Sequence, residues 1–155
     1  MKDVILVSGC ANSGKSSTLR MIYMQLCSLQ SEHTFNGNEV SSCQIPDLSY
    51  GHDFFAVFLS IGGKRVGLAS NGDFKEEFER VFGIIKDRID VLVCVSRSVD
   101  TAGSVREYIF NSLPQHGFKV KFNLSTFPCK NNDERTVMES NICDLIVSFL
   151  TKKQL

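Results

Sequence analysis

The chain has 155 residues, 17 Lys+Arg balanced by 17 Asp+Glu, and a hydrophobic fraction of 43%. That length supports one core and excludes a second full domain, and the zero net charge excludes the broad basic face that sequence-independent nucleic-acid binding requires. The first apolar stretch, Val4 to Val7, is too short for a signal-peptide core or a membrane span, so a cytoplasmic protein without a membrane partner is expected.

Val4, Ile5, Leu6 and Val7 form a continuous, largely β-branched run, the pattern of a strand buried on both faces. From Lys15 to Leu29, the residues Leu19, Ile22, Leu26 and Leu29 recur at spacings of three and four, which predicts a helix directly after that strand. Residues 31–52 show no period, are rich in Ser, Asn and Gly and contain Pro46, so they read as an irregular segment. Phe54 to Ser60 and Lys64 to Ser70 read as strands joined across Gly62 and Gly63, a pair suited to a tight hairpin turn, which makes the two strands antiparallel neighbours.

Phe74, Phe78, Val81, Phe82 and Ile85 mark the next helix, with Asp73 and Glu76 spaced as a capping box at its start. Val91 to Val95 is another buried strand. Val105, Tyr108, Ile109 and Leu113 give a third helix, capped by Ser104 with Glu107 and closed by Pro114 and Gly117. Lys119 to Leu124 is the last strand, and Met138, Ile142, Leu145, Ile146 and Phe149 outline a C-terminal helix from Asp133 onward. This alternation predicts an α/β fold in one domain: a mostly parallel five-stranded sheet with one antiparallel hairpin strand and helices on both faces.

The six cysteines (Cys10, Cys27, Cys43, Cys94, Cys129, Cys143) and three histidines (His33, His52, His116) are scattered along the chain. Their spacing indicates neither a zinc site nor a disulfide framework, and the expected state of the cysteines is reduced.

Between the first strand and the first helix stand Gly9, Cys10, Ala11, Asn12, Ser13, Gly14, Lys15 and Ser16, which match the pattern Gly, four residues, Gly, Lys, Ser/Thr without deviation; Ser17 follows. In that setting the backbone N–H groups of the loop and the helix N-terminus point together at phosphate oxygens. Lys15 is placed to contact the β and γ phosphates, Ser16 to offer magnesium a hydroxyl ligand, and Gly9 and Gly14 to let the backbone approach closely. On these residues the chain resembles the P-loop NTPase superfamily, over the whole α/β region from first strand to last helix. The resemblance implies a three-layer P-loop NTPase fold that binds a nucleoside triphosphate with Mg2+, and leaves the reaction open.

The superfamily's second element is an acidic residue after a buried strand, which positions magnesium or the attacking water. Asp73 is the first candidate, with helix capping as its competing role, and Asp53 is the second. A hairpin feeding the strand before a glycine is similar to the GTPase side of the superfamily, but Ala69 stands where that family has its Asp, three residues before Gly72. The segment Ser96, Arg97, Ser98, Val99, Asp100 replaces the guanine-reading Asn-Lys-x-Asp. ATP is therefore expected by elimination, with GTP still open.

Arg97, just past a central strand, is placed to neutralise a transferring phosphoryl group, and Arg106 is a weaker second cation. Asp47, Tyr50 and His52 lie in the irregular segment, where small kinases resembling the superfamily build an acceptor site. Three functions fit: a small phosphotransferase using Lys15, Ser16, Asp73 and Arg97 on an unidentified small-molecule acceptor, a nucleotide-dependent switch or regulatory NTPase acting through a protein partner, or, if Asp73 only caps its helix, a nucleotide-binding protein with little catalysis.

Overall fold

Val4, Ile5, Leu6 and Val7 are all buried, because β1 (Lys2–Ser8) runs between two other strands. Its neighbours β6 (Val91–Ser96) and β7 (Phe118–Ser125) both lie parallel to it. The structure, a computed structural model, describes residues 1–9, 13–44, 52–98 and 103–152. After β1 come helix α1 (Lys15–Leu29), the short strands β2 (His33–Phe35) and β3 (Asn38–Val40), and the hairpin β4 (Phe55–Ile61) and β5 (Lys64–Ala69). Helix α2 (Lys75–Ile85) leads to β6, α3 (Val105–Asn111) to β7, and α4 (Asn132–Thr151) ends the fold.

The seven strands form one sheet in the order β3-β2-β4-β5-β6-β1-β7. The ladders β5–β6, β6–β1 and β1–β7 are parallel, whereas β3–β2, β2–β4 and β4–β5 are antiparallel. The expected three-layer P-loop NTPase fold, with a mostly parallel five-stranded sheet, one antiparallel hairpin strand and helices on both faces, is therefore corrected to α/β with a seven-stranded mixed sheet. The additional strands come from the segment read as irregular. β2 and β3 are three residues each, too short to display a period of two. They are joined by Asn36 and Gly37, whose φ angles of 50° and 86° make the tight turn that matches strand twist.

Alternation along β1 divides the apolar interior in two. Ile5 and Val7 pack with Leu19, Ile22 and Leu26 of α1 and with Ile142 and Ile146 of α4, while Val4 and Leu6 pack with Phe78 and Phe82 of α2 and with Ile109 of α3. Helices α1 and α4 lie side by side on the first of these clusters. Among the described residues, no helix is long and apolar enough to cross a membrane.

The short strand β2 is tied to α1 through one polar network. Tyr23, fully buried, places its hydroxyl 2.7 Å from His33 Nε2, while His33 Nδ1 donates to the Ser31 carbonyl at 2.7 Å and the Gln44 N–H donates to the Tyr23 hydroxyl at 3.0 Å. Burial is the main cause that pushes the Tyr23 phenol pKa upward, so the hydroxyl stays protonated. Tyr23→Phe keeps the ring contacts and strands two polar partners. Urea unfolding of that variant is expected to show a loss of about 1–3 kcal/mol; an unchanged midpoint would mean that water takes over both bonds.

Candidate phosphate-binding cleft

Ser8 pairs with Ser96 on one side and Ser125 on the other, so β1, β6 and β7 reach their carboxyl ends together. Ligands of open α/β sheets bind along this edge. The chain turns there under backbone restraint: the Gly9 N–H donates to the Ser96 carbonyl at 3.2 Å and the Thr126 N–H to the Ser8 carbonyl at 2.8 Å. A Cβ on Gly9 would run into Thr126 Oγ1 and Ser13 Oγ, which are themselves 2.6 Å apart. The first motif glycine is therefore required by packing within the protein. Cys10, Ala11 and Asn12 lie outside the described residues.

Gly14, at φ 95°, is the N-cap of α1, and the cap makes no side-chain hydrogen bond. The first turn of the helix also contains no acidic residue. The leading N–H groups and the positive end of the helix dipole thus face the cleft without a carboxylate from their own turn, the arrangement that attracts an anion. Thr18 faces inward and donates from Oγ1 to the Gly14 carbonyl at 2.7 Å. Lys15 is 8% exposed, and its Nζ donates across the loop to the Gly9 carbonyl at 3.0 Å.

These residues open onto a cleft of about 390 Å³. Ser13, Gly14, Lys15, Ser16, Ser17 and Arg20 line it from the loop and α1; Ser70, Gly72 and Asp73 line it from the β5–α2 loop. Val95 closes it from β6 and Arg97 from just past that strand, and Arg135 reaches in from α4. Lys15 and Ser16, read from one motif, thus meet Asp73 and Arg97, read from other segments, in one place. A larger hollow of about 840 Å³ lies at the amino ends of β1 and β6. There Lys2 donates to the Lys86 carbonyl, and Lys64 to the carbonyls of Leu150 and Lys152.

Asp73 does not cap α2. The N-cap is Phe74, without a side-chain cap bond, so the capping box read from Asp73 and Glu76 is corrected. Instead, Asp73 Oδ1 accepts from Arg97 Nε at 3.3 Å, with both side chains more than half exposed. A pair this exposed contributes little to stability. Asp73→Asn is therefore expected to lower the melting temperature by less than about 3 °C in a thermal melt. A larger fall would assign Asp73 to the fold. The expected cap at Ser104 does form, with its Oγ accepting from the Glu107 N–H at 3.1 Å.

Asp53 lies beside the cleft, its Oδ1 accepting from Ser70 Oγ at 3.2 Å. Burial raises its pKa most, the Ser70 hydrogen bond lowers it, and the neighbouring charges of Asp73 and Glu77 raise it. Arg106 is elsewhere: its Nη1 donates to Ser8 Oγ at 3.0 Å and its guanidinium lies 4.9 Å from the centre of the Phe110 ring. Of the residues expected to serve an acceptor, Asp47 and Tyr50 are outside the described residues and His52 is exposed. Among the described residues, no group of three or more His, Cys, Asp or Glu is arranged to hold a metal ion.

Three residues at this site escaped the sequence reading. Arg20 follows Ser16 by one helical turn, so periodicity along α1 could have found it. Arg135 and Glu139 are one turn apart on α4, but nothing in their own segment announces that α4 packs beside α1. Glu139 is buried, and an ideal Cβ on Gly14 would lie 2.7 Å from its Oε1. No protein-family model, curated protein or solved structure matches this chain.

Proposed function

We propose that the cleft binds the phosphates of a nucleoside triphosphate, with Mg-ATP as the expected ligand. One observation carries this reading: Lys15, Arg20, Arg97 and Arg135 converge on an α1 N-terminus that no side chain caps. Three separate elements supply those cations, and together they suit a multiply charged anion better than a single carboxylate. The chemistry of the donor set also accommodates magnesium, through the Ser16 hydroxyl and the Asp73 carboxylate once Arg97 turns from Asp73 to a phosphate. When bound, the ion would neutralise phosphate charge.

Phosphoryl transfer to a small-molecule acceptor is the first reaction to test. Asp53, an exposed carboxylate bonded to Ser70, stands next to the cleft and is placed to accept a proton from an incoming hydroxyl. The Asp73–Arg97 pair favours a second reading, a nucleotide-dependent switch. It joins the β5–α2 loop to the end of β6 by one exposed contact, which a γ-phosphate would exchange for its own.

The test is binding and turnover of Mg-ATP and Mg-GTP by the purified protein, alone and with a pool of small-molecule acceptors. Acceptor-dependent ADP production supports the phosphotransferase. Tight binding with slow turnover, whatever the pool contains, supports the switch. Absence of binding to either nucleotide ends the triphosphate reading.

A further inference from the structure

Helix α4 brings two charged residues to the phosphate loop, and one has the wrong sign for an anion site. Glu139 is 7% exposed, and its Oε1 is buried with no hydrogen-bond partner among the described residues. The oxygen lies so close to Gly14 that the left-handed glycine there leaves it just enough room. Arg20 Nε, also in the cleft lining, is likewise buried and unpartnered among the described residues. A donor and an acceptor of opposite charge therefore share this site without bonding to each other. An unpartnered buried carboxylate is unfavourable in its charged form, which makes its protonation responsive to whatever charge arrives beside Gly14.

We propose that Glu139 sets both the affinity and the proton dependence of the phosphate site: its carboxylate opposes the ligand's charge, and binding of a polyphosphate leaves it protonated. The proposal rests on the triphosphate reading of the cleft. Burial raises the Glu139 pKa, while the charges of Arg135 on its own helix and Arg20 on α1 lower it. Lys15 on α1, with Arg97 and Asp73 across the cleft, completes the set of charges lining the site. Cys143, one turn beyond Glu139 on α4, has its thiol pKa pushed up to about 11 by burial and stays neutral. A bound phosphate draws Arg20 and Arg135 to its own oxygens and adds negative charge, and both changes raise the Glu139 pKa further. Affinity is then greatest below the ligand-free pKa and falls as pH rises through the interval up to the bound-state value.

The experiment is calorimetric titration of the full chain with inorganic tripolyphosphate from about pH 6 to pH 8.5, in two buffers of different ionisation enthalpy, for wild type and Glu139→Gln. Tripolyphosphate's own titration is common to both proteins, so the difference between them is the readout. Wild type is expected to take up more protons on binding than Glu139→Gln does, and Glu139→Gln to bind on the order of tenfold tighter at the alkaline end with a flatter pH profile. A carboxyl-carbon NMR titration of Glu139 in wild type, with and without tripolyphosphate, reads the same shift without relying on the variant's folding. Equal affinity and proton uptake in the two proteins, or a Glu139 titration that tripolyphosphate does not move, overturns the proposal. Failure of both proteins to bind tripolyphosphate or Mg-ATP overturns the triphosphate reading itself and this inference with it, a result distinct from binding that ignores Glu139.

Discussion

Lys15→Ala is expected to weaken the proposed triphosphate binding by about a hundredfold or more while the domain stays folded. The Lys15 ammonium sits at the start of α1, is 8% exposed and donates to the Gly9 carbonyl at 3.0 Å, so its position is fixed by the loop. A charge-assisted hydrogen bond is worth about 1.5–3 kcal/mol, and losing about 3 kcal/mol of phosphate contact corresponds to roughly two orders of magnitude in affinity. The fold depends little on this side chain: the α1 core contacts come from Leu19, Ile22, Tyr23 and Leu26, and alanine is a strong helix former. Calorimetric titration with Mg-ATP beside a thermal melt checks both halves. Unchanged affinity would move the phosphate site elsewhere, and a melting temperature lowered by many degrees would make Lys15 a clamp that holds the loop.

The order of elements was legible because each long element carries a local signal, a helical period or an unbroken apolar run. Helix α1 spans Lys15–Leu29, the interval its apolar spacing predicts, and the β4–β5 hairpin turns at Gly62 and Gly63 as their positions imply. The short strands β2 and β3 had no room for a pattern, and the Asn36-Gly37 turn between them was the signal that could have identified them. Missing them is what produced the five-stranded, mostly parallel expectation.

The cleft was legible only where its residues sit in one segment or at a strand end. Lys15 and Ser16 follow from the loop, and Arg97 from its place after β6. Arg135 and Glu139 depend on pairing far along the chain: α4 follows β7, β7 pairs with β1, and β1 leads into the loop, so α4 comes to lie beside α1. No local pattern records that β6 and β7 flank β1, and so the charges that α4 contributes beside the loop between β1 and α1 emerge only from the assembled sheet. Asp73 presents the opposite case. Its spacing to Glu76 satisfied a local rule, but the backbone begins the helix later, at Lys75, and the side chain turns to Arg97.

Gly72→Ala is expected to destabilise the protein by about 3 kcal/mol and to weaken the proposed triphosphate binding through displacement of Asp73 and Arg97. A Cβ at this position would run into the Val95 carbonyl oxygen and lie 2.8 Å from its carbon and 2.9 Å from Cγ2. Val95 cannot retreat, because it belongs to β6 and pairs with Val7 of β1 in the centre of the sheet. The loop cannot shift freely either: the Gly72 N–H donates to the Ser70 carbonyl at 2.9 Å, and Ser70 Oγ accepts from the Phe54 N–H at 2.7 Å. One of these attachments must yield to the added methyl group. Gly83, in the interior of α2, is the internal control, since nothing lies within 4 Å of an added Cβ and Gly83→Ala should stabilise the helix by about 0.5–1 kcal/mol. Urea unfolding of both variants, with Mg-ATP titration of each, separates a close backbone approach at Gly72 from a general effect of replacing glycine. Equal stabilisation in the two would show that the β5–α2 loop has room to move away from β6, and the cleft would then not depend on Gly72 for its shape.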